Sequence, residues 1–181
     1  EQFALHSAQP DIQVEIRLTK AHIALLEGDV TTALAWASVV MADREAGLPT
    51  GAEGHSGVET TLVRVHLTTG SIATALTQID ALIPKLTTQE KITPLIEVYM
   101  LKAQAHWSLH QQTEALAALR SALHHAETGQ NLEYFVRDVS SLRPVLASFA
   151  SSVRPHELSP HMRRVIQACD VIFDDVALAV E

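Results

Sequence analysis

Ten histidines are the first residues in this 181-residue chain whose chemistry invites a site. His106 and His110 stand at i and i+4, a spacing that lets two imidazoles share one helix face and bind zinc. No third ligand follows at a matching spacing, and the HExxH pattern is absent from the sequence. His66 and His106 also occupy one repeat position, where a packed ring is the ordinary occupant. His124 and His125 project roughly 100° apart on a helix, which does not suit a shared ligand. They suit a solvated helix C-terminus, whose dipole favours them. Cys169 lies on an apolar stripe with no His or Asp at triad-like spacing, and reads as a buried structural thiol. Glu59, Asp80 and Glu97 are separated carboxylates without an evident partner for acid–base work. The expectation is a protein that is not an enzyme and takes no metal or cofactor.

Composition narrows the classes further. The net charge is −8, and the 13 Lys and Arg residues are scattered, with Arg163-Arg164 the densest pair. A phosphate-binding surface needs clustered cations, so a nucleic-acid partner is not expected. A single cysteine excludes an internal disulfide and points to a reducing, cytoplasmic compartment. No apolar run approaches the roughly 20 residues of a membrane helix, and no secretory leader pattern opens the chain. The first residue is Glu1 rather than Met, which suggests an excised fragment. Hydrophobic residues make up 47% of the chain but aromatics only 4%. Ala, Leu, Val and Ile therefore carry the core, which favours an all-α fold packed through small side chains.

The elements that would position any site come in pairs. From 12 to 27 the sequence IQVEIRLTKAHIALLE has Val14, Leu18, Ala21 and Leu25 on one helical face. Gly28-Asp29 breaks it, and Asp29 is suited to cap the next helix, VTTALAWASVVMA. A Gly/Pro-rich loop, 45–57, leads to GVETTLVRVHLTT, a Gly70-Ser71 turn and IATALTQIDALIPKL, with Ser71 in the capping role. The third pair starts at Thr93-Pro94, or earlier near Thr88, and continues through LIEVYMLKAQAHWSLHQQTEALAALRSALHHA with a turn at 110–113. Ala33, Ala75 and Ala115 align at separations of 42 and 40 residues. Ala21, Val63 and Ala103 align on the first helices, and Val40, Leu82 and Ala122 on the second. Small residues at helix crossings let backbones approach closely, and three hairpins are about the minimum for a stable stack. Beyond Gly129 the pattern changes to NLEYFVRDV, LRPVLASFASS and a terminal helix opened by Ser159-Pro160. That helix carries the stripe Met162, Val165, Ile166, Cys169, Phe173 and Val176.

The Ala spacing and Gly-containing turns resemble tetratricopeptide (TPR) repeats, with a period longer than their usual length of about 34 residues. ALAWA and its Gly/Pro loop, TLVRVHLTTGSIATALTQIDALI, IEVYMLKAQAHWSLHQQTEALAALRSALHHAE and EYFVRDV together resemble the sensor region of MalT-like, ATP-dependent LuxR-family transcriptional regulators. The likeness covers about 12–140, and more weakly SPHMRRVIQA. It implies a TPR-like helical-hairpin superhelix (an α-α solenoid) over 1–130, in pairs 12–44, 57–86 and 90–127. Capping or linker helices would follow over 131–181. Family members carry an ATP-binding module before this array and a helix-turn-helix after it. No Walker-type phosphate loop occurs here. Glu157-Leu-Ser-Pro160 is similar to the opening of the DNA-binding domain, but IQACDVIFDDVA replaces what should follow. His110 also replaces the usual turn glycine, and Ser140 to Arg143 replace an acidic, Gly-bearing segment.

In TPR arrays the first helices line the concave face. The resemblance therefore implies a ligand or peptide groove at Glu15, Leu18, His22 and Leu26, at Thr60, Arg64 and Thr68, and at Glu97, Met100, Gln104, Trp107 and Ser108. Trp107 has an alternative role as a ring packed between helices, and Trp36, on a second helix, reads as core. The expected occupant is a small-molecule effector, or a protein or peptide. Its binding would be passed to the ATPase and DNA-binding modules. A free-standing TPR adaptor is the other reading, with self-association through Met162, Val165, Ile166 and Phe173.

Overall fold

The structure, a computed structural model, describes residues 16–45, 57–129, 131–154 and 156–178, with the side chains of all but 41, 44, 45 and 170–178. The described residues are all-α, with no strand among them. Helix α1 covers 16–26; α2 is Val30–Glu45, α3 Gly57–Thr68, α4 Ile72–Thr88, α5 Ile92–Ser108 and α6 Gln112–Gly129. The short α7, Glu133–Arg137, precedes α8, Val139–Ser152, and α9, Pro160–Leu178. The chain forms two compact units, Glu1–Gln78 and Ile79–Glu181.

The aligned small residues do what their spacing requires. Ala33, Ala75 and Ala115 are each the fourth residue of a hairpin's second helix, and all are fully buried. Their N–H groups donate to the carbonyls of Asp29, Ser71 and Gln111, so the three helices start in one register. Ala21, Val63 and Ala103, and Val40, Leu82 and Ala122, are buried as well.

The turns share one device. The N–H of Gly28 donates to Leu25 and that of Asp29 to Ala24, a Schellman closure that satisfies the last carbonyls of the helix. Gly70 and Ser71 repeat it on Leu67 and His66, and His110 and Gln111 on Trp107 and His106. Glu90 and Lys91 repeat it on Thr87 and Leu86, between α4 and α5. Each closure needs a left-handed residue: Gly28 and Gly70 supply φ of 79° and 76° freely, whereas His110 and Glu90 are held at 58° and 53°. The Glu90 turn also sets the start of α5 at Ile92, between the two starts read from sequence, near Thr88 and at Thr93-Pro94. Thr93 therefore lies inside the helix instead of capping it. Two starts behave as read: the Thr32 N–H donates to Asp29 Oδ1 (3.0 Å), and the Met162 N–H to Ser159 Oγ (3.1 Å).

In the first unit, Val40 of α2 packs on Val58 of α3, flanked by Leu18 and Leu62. Ala24 and Ala33 pack on Val65, flanked by Leu25 and Val30. Arg17 pairs with Asp43 across α1 and α2, and Lys20 Nζ lies 4.7 Å above the Trp36 ring. Trp36 is half-buried, so it edges the hairpin and is not the core residue expected. The second unit is built around a large apolar cluster. Ile96, Met100 and Ala103 of α5 and Leu119 and Leu123 of α6 enclose it with Phe135 of α7, Leu142 and Phe149 of α8, and Val165 of α9. Helices α7–α9 thus share a core with the third hairpin, and the division between units falls within α4.

Candidate binding surfaces

The polar positions on the first helices separate into distinct environments. Glu15 lies outside the described residues. Thr60 is buried and its hydroxyl donates to the Gly57 carbonyl (3.3 Å), while Met100 is fully enclosed in the second unit's core. Neither can line an accessible wall, because α3 and α5 turn these positions into their packing faces. Leu18 is likewise half-buried against Val40 and Val58. His22 and Arg64 occupy equivalent half-buried positions in the first unit, and Leu26 and Thr68 equivalent exposed ones. The Thr68 hydroxyl folds back to the Arg64 carbonyl (2.9 Å).

In the second unit, α7 and α8 bridge the expected groove positions of α5. Arg137 Nη2 lies 3.2 Å from Glu97 Oε1 and Arg137 Nε 3.6 Å from Asp138 Oδ1. The Gln104 amide donates to Ser141 Oγ (3.0 Å), and the Ser141 hydroxyl to the Asp138 carbonyl (2.9 Å). Trp107 packs against the core, consistent with its reading as a ring between helices, and the exposed Ser108 donates to the Gln104 carbonyl. The face of α5 read as an open wall is therefore largely a joint with the next helical layer. At the helix end, His106 Nδ1 lies 2.7 Å from Gln111 Oε1, tying α5 to the turn, while His110 serves as the turn's left-handed residue. Among the described residues no three His, Cys, Asp or Glu side chains converge to hold a metal ion.

A groove in the second unit lies instead along α6. It has a volume of about 780 Å³. Leu116, Ala117 and Met162 supply its apolar surface, Gln112, Thr113 and Ser121 its neutral polar groups, and Arg120, His124 and His125 its basic groups. Arg120 is exposed, with its guanidinium 5.9 Å from the Phe149 ring centroid. Gln112 is held at the rim by donation to Ser148 Oγ (2.7 Å). His125 stacks on Tyr99 at 5.5 Å between centroids, and burial followed by the neighbouring His124 lowers its pKa. It therefore stays neutral near pH 7, able both to donate and to accept, while Arg120 holds the fixed positive charge. Size and lining fit a guest with an apolar body and an anionic or strongly accepting head. The sequence carries a signal for this groove: Thr113, Ala117, Arg120, Ser121 and His124 form a second stripe on α6 beside its apolar one. Nothing in the repeat pattern says which second helix leaves that stripe uncovered.

The stripe read as a dimer surface is partly used within the chain. Val165 is buried, and Met162 and Ile166 pack against the core; the side chain of Phe173 lies outside those described. Cys169 is buried in the same cluster. No helix among the described residues is long and apolar enough to cross a membrane. No family model, curated protein or solved structure matches the chain.

Proposed function

We propose that this chain is a non-catalytic binding module that senses a small effector or a protein segment, as in the sensor region of MalT-like LuxR-family transcriptional regulators. The observation that carries the binding reading is the α6 groove, in which Arg120 stands among hydroxyl, amide and imidazole groups over an apolar surface. The regulator reading rests on the resemblance of the hairpin sequences, and the shared register of Ala33, Ala75 and Ala115 is in keeping with it. A guest that braces α6 against Met162 of α9 would favour one arrangement of these helices. Such a preference is what a ligand must have to shift a switch.

Calorimetric titration of the chain with a panel of amphipathic carboxylates and acidic peptides tests this. The expected result is saturable heat from at least one member, weakened about tenfold or more in Arg120→Gln through loss of a charge-assisted contact. Silence from the whole panel, or binding that Arg120→Gln and Leu116→Lys leave unchanged, would refute the groove. In a regulator of which this chain is part, the same two substitutions should also abolish the effector response.

A further inference from the structure

Helix α1 exposes two large apolar side chains that its repeat equivalents hide. Ile16 is 41% and Ile23 47% exposed. In the alignment that superposes Ala21, Val63 and Ala103, Ile16 corresponds to Val58 and Val98, and Ile23 to Val65 and Ala105. Those four residues are 3%, 0%, 1% and 0% exposed. Single exposed hydrophobics are ordinary, but two that fall on the buried positions of a repeat are not. On α3 the structure shows what these positions are for. Val58 packs on Val40 and Val65 on Ala24 and Ala33, so they seat α3 against the second helix of the hairpin before it. Leu26 is more exposed still, but its equivalents Thr68 and Ser108 are exposed too, which places it at the rim of such a contact.

We infer that Ile16 and Ile23 form a docking face for one further helical hairpin of this same repeat, placed N-terminal to α1. Its second helix would present a small residue to Ile23 and, seven residues on, a β-branched one to Ile16, as Ala33 and Val40 serve Val65 and Val58. The interface continues an observed one by one repeat. It requires that α1–α2 be an inner hairpin of the stack, because a terminal repeat keeps its outer face polar. This inference is independent of the α6 groove.

The test supplies such a hairpin from the chain itself. A tandem copy of residues 15–56 inserted before Glu15 adds one 42-residue period and brings a second Ala33 and Val40 into register with Ile16 and Ile23. Thermal unfolding is compared for the parent and the extended chain, each with and without Ile16→Lys and Ile23→Lys in the original α1. The extended chain should melt in one transition about 2–4 °C or more above the parent. The double substitution should remove that rise while leaving the parent's midpoint nearly unchanged. A separate low-temperature transition for the inserted copy would overturn the inference. So would an equal loss in both backgrounds, since the face would then already be covered in the parent. A parent dimer that the double substitution converts to monomer would assign the face to a second copy instead.

Discussion

Replacing Gly70 by Ala and His110 by Gly should move stability in opposite directions by similar amounts. Both residues close a Schellman turn, on Leu67 and Trp107 respectively, and both have positive φ, 76° and 58°. A Cβ at Gly70 would meet nothing within 4 Å, so its cost is conformational and not steric. An L-residue in this region costs roughly 1–2 kcal/mol, and the stiffer unfolded chain returns roughly 0.4–1 kcal/mol of it. Gly70→Ala should therefore destabilise by about 1 kcal/mol. His110 is exposed, and among the described residues its ring makes no hydrogen bond or ion pair, so little is lost with the side chain. His110→Gly should stabilise by up to about 1 kcal/mol, with His110→Asn between, because Asn tolerates the left-handed region better than most residues. Urea titration followed by circular dichroism reads this as opposite shifts in midpoint at unchanged slope, and heating as shifts of about 2–4 °C. A neutral Gly70→Ala, or a destabilised His110→Gly, would refute the turn geometry as the controlling term.

Three further outcomes are expected. Asp29 has its pKa lowered below 3.8, first by its hydrogen bond with Thr32, so its cap contributes fully above that pH and is lost as pH falls through the lowered value. Asp29→Asn caps without titrating, and an acid titration of urea midpoints should show the wild type, but not the variant, losing this contribution below about pH 4. His161 is only 5% exposed, and neither ring nitrogen meets a protein hydrogen-bond partner. Burial, then Arg164, lower its pKa below 6.5 against the opposing pull of Glu127. Stability should therefore be complete above pH 6.5 and decline as pH falls through the lowered value; His161→Leu should flatten that decline. Phe135→Ala should cost about 3–5 kcal/mol, since Phe135 is fully buried between the third hairpin and the C-terminal helices. The α5–α6 and α8–α9 signals should then melt together by hydrogen exchange; loss of α7–α9 alone would mean they do not share the core.

The helices and their internal register were legible because both are local. The 3.6-residue period marks a helix wherever it occurs, and small residues recurring at 42 and 40 residues mark a crossing whatever the neighbours are. Asp29 and Ser159 were legible as caps for the same reason: each acts within one turn of itself. The Glu90 turn was missed because its closure depends on a left-handed residue that is not glycine, and nothing in the residue type announces that conformation.

The candidate sites divide along the same line. Sequence determined which side chains share a helix face, and so placed His22, Arg64 and Gln104 on one repeat position. Whether a face meets solvent or another helix depends on what packs across it, and those partners lie tens of residues away. Ser141 and Arg137 bridge to Gln104 and Glu97 from 37 and 40 residues further along the chain. The second unit's fold buries Met100, leaves the Arg120 stripe of α6 open, and draws Val165 into the core. Sequence determined the repeating helical units and the residues that join them. Tertiary structure alone decided which surfaces those joints cover, because burial is a property of two surfaces and a sequence pattern describes only one at a time.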